Sequence, residues 1–477
     1  MNKTLRTLLL AASALLFAVS ARAETPAATL TPVAVPDTTV FGATAVDLAR
    51  FGYVEQEFYI RGTANRYRIT NPLGTAEVID GGHPYTSRIL VRRPARAKDF
   101  NGIVAVEWYN VTAGQDVDFT FAAMHEHLLR QGYAFVAVSA QLVGINTLRR
   151  VSRARYGSLD ATASNVDPVT GGKIDVSGGP AGQVTSDVLS WDIFGQTAAA
   201  LRSPGAVTAL GELKPKYLIA LGESQSAGRL TAYYNAIQPL HRVYDAFLTY
   251  DRMGPLRNDI GTKSISIGTE FSALLIGPPP DDSTDHRWWE VAGSSHVSVD
   301  DLAYLDPIIK RDAALRDPAG NALSLTELVP IAGQCKFIPI LSRVPTGHVL
   351  NAALEQLVAW MAKDVTPAQA PRLARDVAGK LLRDADGRVS GGVRLPAYDA
   401  PTAENSGVNS GPGFCMLAGH HVDFSEPQLC DRYKDRGHYL ARVKRVANEA
   451  RNAGFLLKRD QLIVLHDAEQ LRFSCAK

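Results

Sequence analysis

Apolar positions along this chain fall into two textures, short unbroken runs and longer stretches with a helical stripe. Residues 102–108 (Gly-Ile-Val-Ala-Val-Glu-Trp), 134–139 (Ala-Phe-Val-Ala-Val-Ser) and 217–221 (Tyr-Leu-Ile-Ala-Leu) are nearly continuous apolar runs. That is the pattern of strands covered on both faces of a sheet. Residues 244–249, 264–269 and 288–291 read as three further strands. Helical patterning occupies 119–131, 188–202 and 226–234 between them, and 351–363 after them. Strand and helix in alternation predict an α/β fold, a mostly parallel sheet with helices on both faces. Residues 53–60 and 86–93 alternate more strongly between apolar and polar and read as half-exposed antiparallel edge strands.

Two regions break the alternation. Residues 146–182 are polar and Gly-rich without a clear period, and are expected to form an irregular insertion, either a lid or binding loop or an inert segment. From residue 366 the texture changes again. Asp384-Ala385-Asp386-Gly387 is a turn signal that lacks the remaining ligand positions of a calcium loop, residues 391–412 are Gly/Pro-rich loop, and a helix is expected over 438–452. The predicted layout is a signal peptide at 1–23, a core at 24–365 carrying the insertion, and a loop-rich C-terminal appendage at 366–477 packed on that core.

The N-terminus has a basic start (Lys3, Arg6), an apolar stretch too short to span a membrane, and Ala21-Arg22-Ala23 as a cleavage site. This predicts a bacterial periplasmic or secreted protein with no stable membrane insertion. Loss of Lys3, Arg6 and Arg22 takes the formal charge from +2 to −1. A nearly neutral chain without a basic stripe excludes an electrostatic nucleic-acid binder. Four cysteines, all in the C-terminal third, suit two disulfides in an oxidising compartment. Of the three pairings, Cys415–Cys430 as a short local loop with Cys335–Cys475 as a tie for the C-terminus is the expected one. Their spacing matches no metal-binding pattern.

The chemistry gathers around Gly222-Glu223-Ser224-Gln225-Ser226, which joins the apolar run 217–221 to a helix. Strand, sharp turn with serine, helix is the context of a nucleophile elbow. It departs from G-x-S-x-G only in having Ser226 as the final small residue. A nucleophilic serine needs a base and a carboxylate to orient it, in the chain order serine, acid, histidine. Glu270 directly follows the strand 264–269, and His296 lies in the loop after 288–291. Both are expected at the sheet edge that carries Ser224. Asp251, Asp281 and Asp282 are the rival acids, and His348 the rival base. The oxyanion hole is expected from the backbone N–H of Gln225 together with that of Asn110 or Val111, in the loop after the run 102–108.

Residues 106–112 (Val-Glu-Trp-Tyr-Asn-Val-Thr), Gly222–Ser226, 289–296 (Trp-Glu-Val-Ala-Gly-Ser-Ser-His), 391–396 (Gly-Gly-Val-Arg-Leu-Pro) and Pro401-Thr402-Ala403 resemble segments of a bacterial alpha/beta-hydrolase-domain family. The resemblance spans nearly the whole chain after the signal. It implies an α/β-hydrolase fold with Ser224 as nucleophile and His296 as base, supports Glu270 as the acid, and makes a serine at 226 ordinary. An uncharged residue is expected where this chain has Asp251. The expectation is a serine esterase with a Ser224–His296–Glu270 triad, acting on a small-molecule ester without metal or organic cofactor. An amidase, peptidase or acyltransferase with the same triad, or a non-catalytic binding protein on the same scaffold, is the alternative. The oligomeric state is left open.

Overall fold

The computed structural model describes residues 24–36, 38–175, 186–328 and 334–475. The expected signal segment 1–23 and residues 176–182 of the insertion lie outside them. Among the described residues one nine-stranded sheet organises the chain, in the order β1-β2-β3-β5-β4-β6-β7-β8-β9. The strands are β1 (Thr29–Pro32), β2 (Tyr53–Arg68), β3 (Glu77–Pro94), β4 (Ile103–Trp108), β5 (Ala134–Val138), β6 (Tyr217–Glu223), β7 (Ala246–Tyr250), β8 (Lys263–Thr269) and β9 (His286–Val291). From β5 through β9 every pairing is parallel, whereas β1, β2 and β3 join antiparallel.

The parallel strands are apolar because both of their faces are covered. Ile103 and Ala105 of β4 join one core with Ile219 and Leu221 of β6 and with the helices Phe119–Arg130, Val299–Asp312 and Thr346–Lys363. Val104 and Val106 face the opposite core, with Leu218, Ala220 and the helix Ser190–Arg202. Successive side chains thus serve opposite layers, as the pleat requires.

Two expectations about the first strands need correction. β2 and β3 are both interior strands, β2 between β1 and β3 and β3 between β2 and β5, and both run far beyond the short segments expected. Polar positions hid this, because their partners lie across the sheet. Arg88 and Arg92 are buried in β3, Arg88 against Glu57 at 2.8 Å and Arg92 against Glu55 at 2.7 Å and Asp118. Further along, Arg66 pairs with Asp80. Buried charges are tolerated in such a strand only when matched in this way. The expected irregular insertion also begins as structure. Residues Leu142–Val151 and Arg153–Tyr156 are helical, and Leu148 and Tyr156 are buried.

The C-terminal region docks closely on the core. Leu373, Leu381, Val393, Leu395 and Tyr398 join the same apolar cluster as β6 and β7. A small antiparallel pair, β10 (Ala403–Ser406) with β11 (His420–Asp423), leads to the helices Glu426–Tyr433, Arg436–Asn452 and Lys458–Gln470. The disulfides are Cys335–Cys415 and Cys430–Cys475, not the expected pairs. β11 carries the chain away between Cys415 and Cys430. Buried Cys415 meets the loop of Cys335, where the Lys336 N–H donates to Ser410 O. Cys430 sits on the helix whose Glu426 accepts from the Ser474 N–H at 2.8 Å, so the C-terminus lies beside it. Proximity in sequence misled here because a strand intervenes. No described helix is long and apolar enough to cross a membrane.

Candidate active site

β6 ends at Glu223 and a helix begins at Ser224, whose φ of +55° is left-handed for a residue with a side chain. Such strain recurs where a fold must present one group sharply. Gly222 permits the turn. A Cβ there would lie 2.9 Å from Leu230 Cδ1 and 3.1 Å from the Ser226 carbonyl carbon. Ser226 staples the bend, donating from Oγ to Glu223 O at 2.9 Å and accepting from the Glu223 N–H at 3.0 Å. Its hydroxyl thus fastens the elbow at the position where the motif has glycine.

Ser224 Oγ lies 2.7 Å from His296 Nε2, and His296 Nδ1 lies 2.6 Å from Asp251 Oδ2. Asp251 follows β7 at φ +51° and is itself held, since Oδ1 accepts the Thr269 N–H at 2.6 Å and Oδ2 the Thr269 hydroxyl at 2.7 Å. His296 is fixed by its own N–H, which donates to Leu417 O at 3.1 Å, and by the Phe271 ring at 4.9 Å.

Ser224 and His296 are therefore brought together, and Glu270 is not with them. Glu270 is fully buried, accepts from Arg383 at 2.6 Å and from the Gly407 N–H at 3.1 Å, and latches the C-terminal region to the end of β8. Both acids end parallel strands, so strand position could not separate them. The Gly254-Pro255 turn signal just beyond Asp251 is the feature that could have favoured it. Asp282 accepts from the Trp288 N–H and pairs with Arg372, exposed Asp281 lies on the same loop, and His348 sits on the helix Thr346–Lys363 beside a different cavity.

Of the expected oxyanion donors, the Asn110 N–H is spent on Val117 O at 3.0 Å, which closes a tight loop. Its side-chain amide donates to Glu223 O at 3.0 Å and to the Glu223 carboxylate at 2.9 Å. The Val111 N–H makes only a long contact, 3.4 Å, to Gln225 Oε1. The Gln225 N–H lies in the first helical turn, where no intrahelical acceptor exists.

Glu223 is the residue that motif reasoning passed over. Its second oxygen, Oε1, lies 3.1 Å from His296 Nε2, the nitrogen that faces Ser224. Burial pushes Glu223 up to about 8, with His296 opposing and Asp251 and Asp301 adding to the rise. Burial alone would lower His296, but Glu223 and then Asp251 outweigh it and raise the imidazole to about 9. One proton is thus contested between Oε1 and Nε2. No sequence pattern marks such a glutamate, because its partner is 73 positions away.

These groups open into a cavity of about 230 Å³ walled by Phe119, Met253, Phe271, Leu275, Val297 and Leu417. Among the described residues its lining includes no lysine or arginine.

A mostly parallel sheet with a serine elbow and a histidine at the C-terminal ends of its strands defines an α/β hydrolase. The chain belongs to the alpha/beta hydrolase domain family, whose model matches residues 24–466. No curated protein matches it. Among solved structures it is similar to the rice cell wall degrading esterase LipA from Xanthomonas oryzae, at 10% identity and a TM-score of 0.23. That match covers 48% of this chain and 51% of LipA, so the likeness spans about half of either. XC6422 from Xanthomonas campestris, described as an a/b serine hydrolase without lid, is 11% identical over 44% of this chain and 71% of its own, with a TM-score of 0.24.

Proposed function

We propose that the protein is a serine hydrolase of small carboxylic esters, exported to the periplasm or beyond, working through an acyl-enzyme. The observation that carries the reading is the unbroken contact chain from Ser224 through His296 to Asp251, at 2.7 and 2.6 Å. Ser224 Oγ attacks the acyl carbon as its proton passes to His296 Nε2. Asp251 holds Nδ1–H and steadies the imidazolium. The tetrahedral oxyanion turns to the N–H groups of Gln225 and Val111, the latter leaving its long contact with Gln225 Oε1. Collapse breaks the ester C–O bond, and the departing alkoxide takes the proton from Nε2. Water then attacks the acyl carbon, giving a proton to Nε2. The second collapse releases the acid and returns that proton to Ser224 Oγ.

Asp251 replaces Glu270 in this scheme on distance alone. An apolar cavity whose charged members are Glu223, Asp251 and His296 favours a neutral substrate over an anionic one. Paired cysteines and the basic-apolar N-terminal pattern support export. The test is turnover of p-nitrophenyl esters by wild type and Ser224→Ala. Loss of turnover in a folded Ser224→Ala protein is expected, and equal activity would end the assignment.

A further inference from the structure

The catalytic cavity shares walls with a neighbouring recess. Thr112, Phe119, Val297 and Leu417 line it and also line a second recess of about 60 Å³. Leu302, Leu325, Leu341 and Phe414 build the far walls of that recess, and Thr112 is the one polar side chain among its described lining. The mouth is apolar too, since Met253 and Leu275 line the cavity while 56% and 51% exposed.

The recess is built rather than left over. Leu341 stands at φ +79°, a left-handed conformation that a leucine adopts only under constraint. The neighbouring Ser342 supplies part of that constraint, donating from Oγ to Gly293 O at 2.6 Å. Leu417 O accepts the N–H groups of both His296 and Val297, which ties the recess wall to the catalytic loop. Phe414 and Leu417 flank Cys415, pinned through its disulfide to Cys335. An apolar pocket that shares walls with the nucleophile's cavity, and is fastened to its base, suits the apolar tail of a group attached to the reacting carbon.

We propose that this recess receives an unbranched aliphatic acyl chain, so that the substrates are esters of medium-chain fatty acids. The inference rests on the esterase reading above. At about 10–15 Å³ for each water-sized group, the recess holds roughly four to six methylenes beyond those crossing the cavity at Ser224. Each buried methylene should raise kcat/KM about fourfold until the recess is full.

The experiment measures kcat/KM for p-nitrophenyl esters from acetate to dodecanoate, beside a series of alkyl acetates of matching length. Fluorophosphonate labelling of the same protein runs in parallel. The acyl series should climb by a hundredfold or more to a maximum near six to eight carbons and then fall, while the alkyl acetates stay nearly flat. Ala418→Leu and Ala113→Leu, which fill the recess, should each move the maximum to shorter chains. A flat acyl series on a protein that still labels at Ser224 overturns the recess assignment alone. A climb confined to the alkyl series overturns it in favour of the alcohol portion. Absence of both labelling and turnover overturns the esterase reading, and this inference with it.

Discussion

Glu223→Gln perturbs the site without touching the serine, and its effect can be worked from the contact. His296 can accept the Ser224 proton only while Nε2 is unprotonated. Every group that stabilises the imidazolium therefore moves the rising limb of the rate profile to higher pH. Three carboxylates do so, Glu223 at 3.1 Å from Nε2, Asp251 at 2.6 Å from Nδ1, and buried Asp301 from the helix Val299–Asp312. Nearby Tyr250 is kept neutral by burial. With His296 raised to about 9 and Glu223 to about 8, kcat/KM should rise through about pH 8 to 9. A unit charge at 3.1 Å is worth about 5 kcal/mol at the effective dielectric of a protein, and each pKa unit is about 1.4 kcal/mol, which sets a ceiling of about four units. Because Glu223 is itself protonated over part of that range, a downward displacement of about one to two units is expected. Gln can still accept from Asn110, so the elbow should keep its shape. The assay is kcat/KM for one p-nitrophenyl ester from pH 5 to 10, with thermal unfolding as the control. A limb that stays within about 0.3 unit of wild type, on a folded protein, would refute the reasoning.

Further outcomes follow from the other contacts. Asp251→Asn should lower kcat by about a thousandfold to ten-thousandfold, because the imidazole loses its oriented tautomer. Glu270→Gln should leave kcat within about threefold while costing about 1–3 kcal/mol of stability, since Arg383 and the Gly407 N–H lose a charged acceptor. Kinetics and denaturant titration of the two variants check the pair, and a reversed pattern would restore Glu270 as the acid. Reduction should lower the unfolding free energy by about 4 kcal/mol for each bridge, from sequence separations of 80 and 45. Denaturant midpoints with and without reductant would read this.

What was legible in the chain and what was not divides along a physical line. Parallel strands buried on both faces announce themselves as apolar runs, so β4, β5 and β6 were visible. The elbow was visible because a tight turn restricts its residues to small ones at Gly222 and Ser226. Long-range partnership was not. Arg88 and Arg92 look solvent-facing until Glu57, Glu55 and Asp118 arrive from elsewhere in the chain. The same holds for Asp251 against Glu270. Both end strands on the correct edge, and the choice depends on which carboxylate a second partner captures, Thr269 for one and Arg383 for the other. The cysteine pairing failed for a like reason, since β11 separates residues that are close in sequence.

Reaction with a fluorophosphonate, followed by peptide mapping of the adduct, tests the triad most directly. It needs no knowledge of the substrate, only a serine whose Oγ is activated by its neighbours. The account predicts one adduct, on Ser224, forming rapidly in wild type and much more slowly in Asp251→Asn. No adduct on the folded wild-type protein, or an adduct on another serine, would contradict it.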